Sequence, residues 1–415
     1  MVTKEIQEDI MRNTVKSLLA LLLVSCLLLG AVGTAFAEET QESELNQLLS
    51  DIQELMAKYG PEIAPEVLNG SRVGTCRYVE KDQFKSYVAI GENSIRKNNK
   101  SYADMLAKEL GISCKKLAEN DLLVDQVSEK ILKANAAEIK KANLITLNLS
   151  INSFIKVAIN EIVGTNDGVD LDWSQYVSAE GVAEIQDTLA RLKTYLVNSG
   201  VQGEIATLGS KADALVTAAE SFAYGTLAYA HTLPQLLDEI HAMNPDATVV
   251  VIGMDNPLSG TTISLSSGES MDLGAYIGKL IQMTDRCAQT AAIEREYVIF
   301  TAAADAANPN DGQTLSENKL ILTYLRSVKA EALPTEEGHA YIKDRILASF
   351  RKMGDVDGNG TVSYNDALKV LRASINLDVL DMDAAVVANV DGKAGITYGD
   401  ALKILRASIG LDTLG

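Results

Sequence analysis

From residue 86 onward the chain alternates short unbroken apolar runs with longer stretches whose apolar residues recur every three or four positions. Runs at Ser86 to Gly91, Asn143 to Ser150, Ala247 to Met254 and Tyr297 to Phe300 lack the in-out alternation of a half-exposed strand, so both of their faces are expected to be covered. Helical periodicity fits Tyr102 to Leu110, Val124 to Lys140, Met271 to Thr290 and Thr335 to Phe350. Strands that alternate with helices in this way predict a parallel sheet with helices on both sides, a three-layer α/β/α domain.

Two helical regions flank or interrupt this pattern. "ELNQLLSDIQELMAKYG" reads as a lead-in helix stopped by Gly60 and Pro61 within residues 38–85. Between about residues 152 and 243 the text is mostly helical and longer than one strand-to-strand crossover needs, so it is expected to elaborate one edge of the sheet as a lid or partner surface. The C-terminal part, 354–415, repeats itself: "ALKVLRASINLD" from Ala367 returns as "ALKILRASIGLD" from Ala401, a period of 34 residues. Two copies of a loop and a helix make a small duplicated module.

Charge and composition narrow the function. A formal charge of −19 without basic runs excludes sequence-independent binding to nucleic acid or anionic membranes. With one tryptophan, Trp173, a sugar platform of stacked indoles is excluded, although fourteen tyrosines remain. Residues 1–37 read as a secretion signal with a cleavage pattern at Ala35-Phe36-Ala37, which implies a secreted, extracellular protein. A rival signal is Leu23-Val24-Ser25-Cys26, a lipoprotein box that would anchor the chain at Cys26. Past residue 37 three cysteines remain, Cys76, Cys114 and Cys287, with no disulfide framework or zinc spacing.

Each copy of the repeat opens on an acidic loop. In "DVDGNGTVSYND" the positions one, three, five, seven, nine and twelve are Asp355, Asp357, Asn359, Thr361, Ser363 and Asp366, with Gly360 at the sharp turn. That spacing wraps oxygen ligands around Ca²⁺. "NVDGKAGITYGD" is poorer: Asn389, Asp391, Gly395 through its carbonyl, Thr397 and Asp400 keep ligand places, but Lys393 brings a cation to position five. Ala394 replaces the turn glycine at a cost of about 1 kcal/mol, so weaker calcium binding is expected in this loop.

A duplicated calcium loop and helix with Asp at position twelve and "ALKVLRAS" resembles a type I dockerin. The resemblance implies an all-α calcium-binding module that plugs into a cohesin domain of a scaffold protein, as in a cellulosome. It implies partner contacts at Tyr364, Asn365, Leu371 and Arg372, and at Tyr398, Gly399, Leu405 and Arg406.

The larger domain, 86–350, also has a likeness. "SYVAIGENSI", "SYADMLAKELG", "ANLITLNLSINSF", "NPDATVVVIGMDNP" and "LPTEEGHAYI" are similar in order and spacing to the blocks of SGNH (GDSL-like) hydrolases, esterases and lipases on a flavodoxin-like sheet. The residues at the catalytic places have changed. The family's nucleophilic serine corresponds to Asn93, its oxyanion glycine to Asp121, and its third block keeps only Asn152. In the last block the aspartate and the basic histidine of DxxHPTxxGH correspond to Ala330 and Leu333, while His339 matches the second, non-catalytic histidine.

A carboxamide forms no acyl-enzyme and a leucine accepts no proton, so the resemblance implies a pseudoenzyme: a scaffold or binding component for a glycan or lipid within an assembly for polysaccharide breakdown. The alternative is an active esterase, a carbohydrate deacetylase or lipase-like enzyme, in which Ser94 is a displaced nucleophile and His339 or His231 supplies the base.

Overall fold

The computed structural model describes residues 47–48, 50–51, 54–55, 58–64, 67, 77–78, 84–92, 95, 100–119, 122–149, 172–198, 212–254, 262–264, 270–303, 334–380, 382–391 and 395–414. The signal region with Cys26, and likewise Cys76, lie outside these. Cys114 and Cys287 are free thiols. Among the described residues no helix is long and apolar enough to cross a membrane.

Five strands form one parallel sheet: β2 (Tyr87–Gly91), β3 (Cys114–Ala118), β4 (Leu144–Asn148), β5 (Thr248–Ile252) and β8 (Val298–Thr301). Their order across the sheet is β3-β2-β4-β5-β8, the doubly wound flavodoxin-like order, and β6 (Thr262–Ser264) and β7 (Ser270–Asp272) form a separate antiparallel pair. Alternate side chains explain the unbroken apolar runs. Tyr87, Ala89, Leu144, Val250 and Ile299 face a layer with α1 (Tyr102–Leu110) and α6 (Glu336–Ser349). Val88, Ile90, Ile145, Val249 and Phe300 face the opposite layer, which contains α4 (Ala212–Met243) and α5 (Leu273–Ile293). Both faces are buried, so neither tolerates the polar half of an alternating strand.

Local chemistry sets the helix ends. Ser101 and Asp104 form a reciprocal cap at the start of α1, and Gly111 ends it in the left-handed region. Thr335 Oγ1 accepts the Gly338 N–H at 3.0 Å and starts α6.

The structure departs from the sequence expectations in three places. β3, "CKKLA", was not among the expected strands; it is an edge of the sheet, where Lys115 is exposed on one face and Lys116 on the other pairs with Asp104 of α1 at 2.8 Å. Val124 to Lys140 is not one helix but a 3-10 turn (Val124–Gln126), a π-helical segment (Ser128–Lys133) and the short α2 (Ala136–Ile139). The break has a cause at Asn135, whose Nδ2 donates to the Ile131 carbonyl at 2.8 Å in competition with the backbone ladder. Finally, the second half of α4 does not decorate an edge of the sheet: Leu233, Leu236, Leu237 and Ile240 are buried in the core on its face. The other large helix of that region, α3 (Ala179–Asn198), packs on α4 and ion-pairs with the lead-in through Glu184 and Lys58 at 2.7 Å.

The chain leaves α6 through β9 (Phe350–Arg351), which pairs in parallel with β1 (Arg77–Tyr78). Three residues later the first acidic loop begins. It leads into α7 (Tyr364–Ser374), then α8 (Met382–Ala388), the second loop and α9 (Tyr398–Ser408). Val356, Val370, Val387 and Ile404 form a core of their own in this module.

Candidate functional sites

In a doubly wound sheet the crevice lies beyond the carboxyl ends of the strands where their order reverses. Here that point is above β2 and β4, at Gly91, Glu92, Asn148 and Leu149. Asn93, Ser94, Asp121, Asn152, Ala330 and Leu333 lie outside the described residues, so the structure assigns these positions no geometry. His339 is described. It sits on α6 with no exposure, its ring 6.2 Å from that of Tyr102. This places His339 in the packed layer between α1 and α6. Beside it, the Tyr87 hydroxyl lies 2.8 Å and the Tyr102 hydroxyl 3.3 Å from Thr146 Oγ1, and burial pushes both phenols up.

A carboxyl that the sequence reading missed lies at the same end of the sheet. Asp285, on α5, accepts the Met254 N–H at 3.2 Å just beyond β5. Gly253 makes room for it, since a Cβ there would come within 2.7 Å of Asp285 Oδ1. Burial pushes this carboxyl up to about 7, opposed only by the Met254 N–H. Ile281, Ala288 and Ala292 are buried at helical spacing around it, and that stripe is the sequence signal that points Asp285 inward.

The acidic loops of the C-terminal module are laid out alike. Asp366 Oδ1 accepts the N–H groups of Val356 at 2.8 Å and Asp357 at 3.0 Å, while Oδ2 accepts the Ser363 N–H at 2.8 Å and its hydroxyl at 2.9 Å. Asp400 repeats this with Val390, Asp391 and Thr397 at 3.0, 3.1 and 2.9 Å, and the Thr397 hydroxyl at 3.0 Å. Ser363 and Thr397 thus cap α7 and α9 as well as occupying their loop positions.

The first loop fits a hard divalent cation. Asp355, Asp357 and Asp366 each offer a carboxylate oxygen within 4.8 Å of the others, and this is the one such acidic set among the described residues. Asp355 Oδ2 accepts the Gly360 N–H at 2.9 Å, but its Oδ1 is buried without a hydrogen-bond partner. Burial pushes the Asp355 carboxyl up against the Gly360 hydrogen bond, and the charges of Asp366 and Asp357 push the same way. An orphaned oxygen among like charges is what a cation would satisfy. Asn359 Oδ1 is engaged by Thr361, through N–H at 2.9 Å and hydroxyl at 2.6 Å.

The second loop differs at its turn. In the first loop Gly358 and Gly360, at positions four and six, have φ +74° and +88°, and among the described residues of the second loop Gly395, at position seven, has φ +82°. Lys393 and Ala394 lie outside the described residues.

Of the expected partner residues, Tyr364, Leu371, Tyr398 and Leu405 line one apolar groove of ≈ 430 Å³ between α7 and α9. Tyr364 and Tyr398 are 65% and 73% exposed, far more than their apolar bulk favours in isolation. The expected arginines are turned to ion pairs, Arg372 with Asp378 at 3.6 Å and Arg406 with Asp412 at 3.5 Å. Asn365 and Gly399 donate their N–H groups to the caps Ser363 and Thr397.

No family model and no curated protein matches the chain. Among solved structures it is similar to an extracellular lipase from Streptomyces rimosus, at 16% identity over 62% of this chain and 95% of that one, TM-score 0.36. It is similar to a phospholipase A1 from Streptomyces albidoflavus at 15% identity over 63% and 99%, TM-score 0.37. A lipase from a goat rumen metagenome overlaps at 10% identity over 64% and 97%, TM-score 0.31. Overlaps this loose carry no chemistry across.

Proposed function

We propose that this is a secreted, non-catalytic SGNH-like α/β domain carried on a dockerin-like calcium module, and that it joins a cohesin-bearing assembly for polysaccharide breakdown as a binding or scaffold component. One observation carries the docking part of the reading. Two loops with the same hydrogen-bond plan present two helices whose exposed Tyr364, Leu371, Tyr398 and Leu405 line a single apolar groove. Calcium, held by Asp355, Asp357 and Asp366 of the first loop, would supply the charge that neutralises these carboxylates and so hold the groove in shape.

The non-catalytic part is supported by residue chemistry: Asn93 and Leu333 at the places of a nucleophile and a base, and His339 sealed in the core. Pull-down of the full chain with a panel of cohesins, with Ca²⁺ and with chelator, tests the docking; capture that ignores calcium would defeat it. Aryl-acetate hydrolysis by the wild type that vanishes in Ser94→Ala would overturn the pseudoenzyme reading.

A further inference from the structure

On the outer side of the α/β domain a recess of ≈ 390 Å³ opens between the 3-10 turn Val124–Gln126, the second half of α4 and the chain around Tyr176. Its size lies within the range of about 300–1,000 Å³ usual for small-molecule sites. The base is apolar, from the buried Val124 and Leu236. One wall is aromatic: the rings of Tyr176 and His231 lie 5.5 Å apart, tilted by 30°. The remainder is polar, from Asp125, Ser128, Gln175, Thr232, Gln235 and Glu239, and Ser128 donates to Glu239 at 3.0 Å to tie the two sides together.

We infer that this recess is a binding site for a neutral saccharide. The lining contains no lysine or arginine and two carboxylates, which rejects anions. Those carboxylates are not part of a convergent metal-binding set, because the one such acidic set among the described residues is in the calcium module. A lipid tail would leave six polar side chains without water. Organic cations need acceptors alone, whereas four of the six, Ser128, Gln175, Thr232 and Gln235, carry donors as well as acceptors. A polyhydroxylated ring matches both halves of the lining. Its hydroxyls each donate and accept, and its C–H face packs on Tyr176 and His231.

This inference gives the binding-component reading a ligand class and rests on that reading, but it is independent of the calcium module. The test is titration calorimetry on the full calcium-loaded chain with cellotetraose and xylotetraose, and with spermidine as the cationic control. Binding of at least one tetrasaccharide is expected, with His231→Ala and Gln235→Ala each weakening it by about three- to tenfold through the lost ring or amide. Both residues are exposed, so neither variant threatens the fold. No saccharide binding, binding untouched by both substitutions, or binding of spermidine alone would each overturn the inference. Cohesin capture by the same preparation reports on docking separately, so failure of one reading is distinguishable from failure of the other.

Discussion

Asp285 and Asp355 are two carboxyls that burial pushes in the same direction, yet they belong to different kinds of site. Asp355 has Asp357 and Asp366 beside it, loop N–H groups of Val356, Asp357 and Ser363 holding the third carboxylate in place, and one oxygen left without a partner. Among the described residues Asp285 has no such company; its neighbours there are the Met254 N–H, Gly253 and, further off, Tyr229 and Cys287. Converging oxygens in a buried place call for a cation. A solitary carboxyl in an apolar helix calls for a proton.

The largest expected effect comes from breaking the first of these. With Ca²⁺ at about a thousandfold excess over its dissociation constant, binding would stabilise the module by roughly 4 kcal/mol. Chelation should therefore lower the melting temperature of residues 354–415, and Asp355→Ala should do the same with calcium present. Far-ultraviolet circular dichroism across a melt checks both, and a melt indifferent to calcium would remove the metal from the account.

Asp285 comes next, and the sign follows from its raised value. The unfolded carboxyl ionises near 3.8 and the folded one near 7. Between these values the folded state holds the extra proton, so this group's contribution to stability is whole below about pH 4 and is lost as the pH rises through about 7. A shift of this size corresponds to roughly 2–4 kcal/mol once partial access of solvent is allowed for. Asp285→Asn should leave stability at about pH 4 little changed and raise it at about pH 8. Urea unfolding of wild type and variant at the two pH values checks this; equal differences at both would mean that the carboxyl is not held protonated.

Much of this architecture can be read from the chain. Strands β2, β4, β5 and β8 are legible because cover on both faces forces unbroken apolar runs, and α1 and α6 because Ser101 and Thr335 cap them. The two acidic loops are legible because their oxygen-bearing residues keep the same spacing in both copies of the repeat. The edge strand β3 is not, since Lys115 and Lys116 put a charge on each face in turn and hide its pattern, and the helix break at Asn135 turns on a single amide. Asp285 is invisible to composition and shows only by its place beside the buried Ile281, Ala288 and Ala292 of α5. The saccharide recess draws on the 3-10 turn, the chain around Tyr176 and the second half of α4, which only tertiary packing brings together.

Inside the module the same comparison can be made between the two loops. Their Asp366 and Asp400 geometries agree to within a few tenths of an ångström, so under the proposed calcium role a difference in affinity should come from positions five and six. Lys393→Asn with Ala394→Gly restores an acceptor and the turn residue, and should tighten the second loop by at least about tenfold, or about 1.4 kcal/mol. Calorimetric titration with calcium reads this as convergence of two unequal binding steps. An unchanged second step would place the weakness elsewhere in the loop.

The smallest effect separates the loops by what holds them from outside. The Val390 carbonyl accepts Lys403 Nζ at 2.8 Å, from within the module, whereas the equivalent Val356 carbonyl accepts Arg351 Nη1 at 3.3 Å, from the strand that closes the α/β domain. The first loop is thus braced against the larger domain and the second against its own helix. Each is a charge-assisted bond at a partly exposed place, so Arg351→Ala and Lys403→Ala should each cost about 0.5–1.5 kcal/mol. They should differ in what they uncouple. With Arg351→Ala, calcium should lose part of its protection of the α/β domain's melting transition, because the bond from loop to β9 is gone. With Lys403→Ala that protection should persist while the second loop alone weakens. Differential scanning calorimetry of the two variants, with and without calcium, resolves the transitions, and identical profiles would mean that Arg351 does not couple calcium binding to the larger domain.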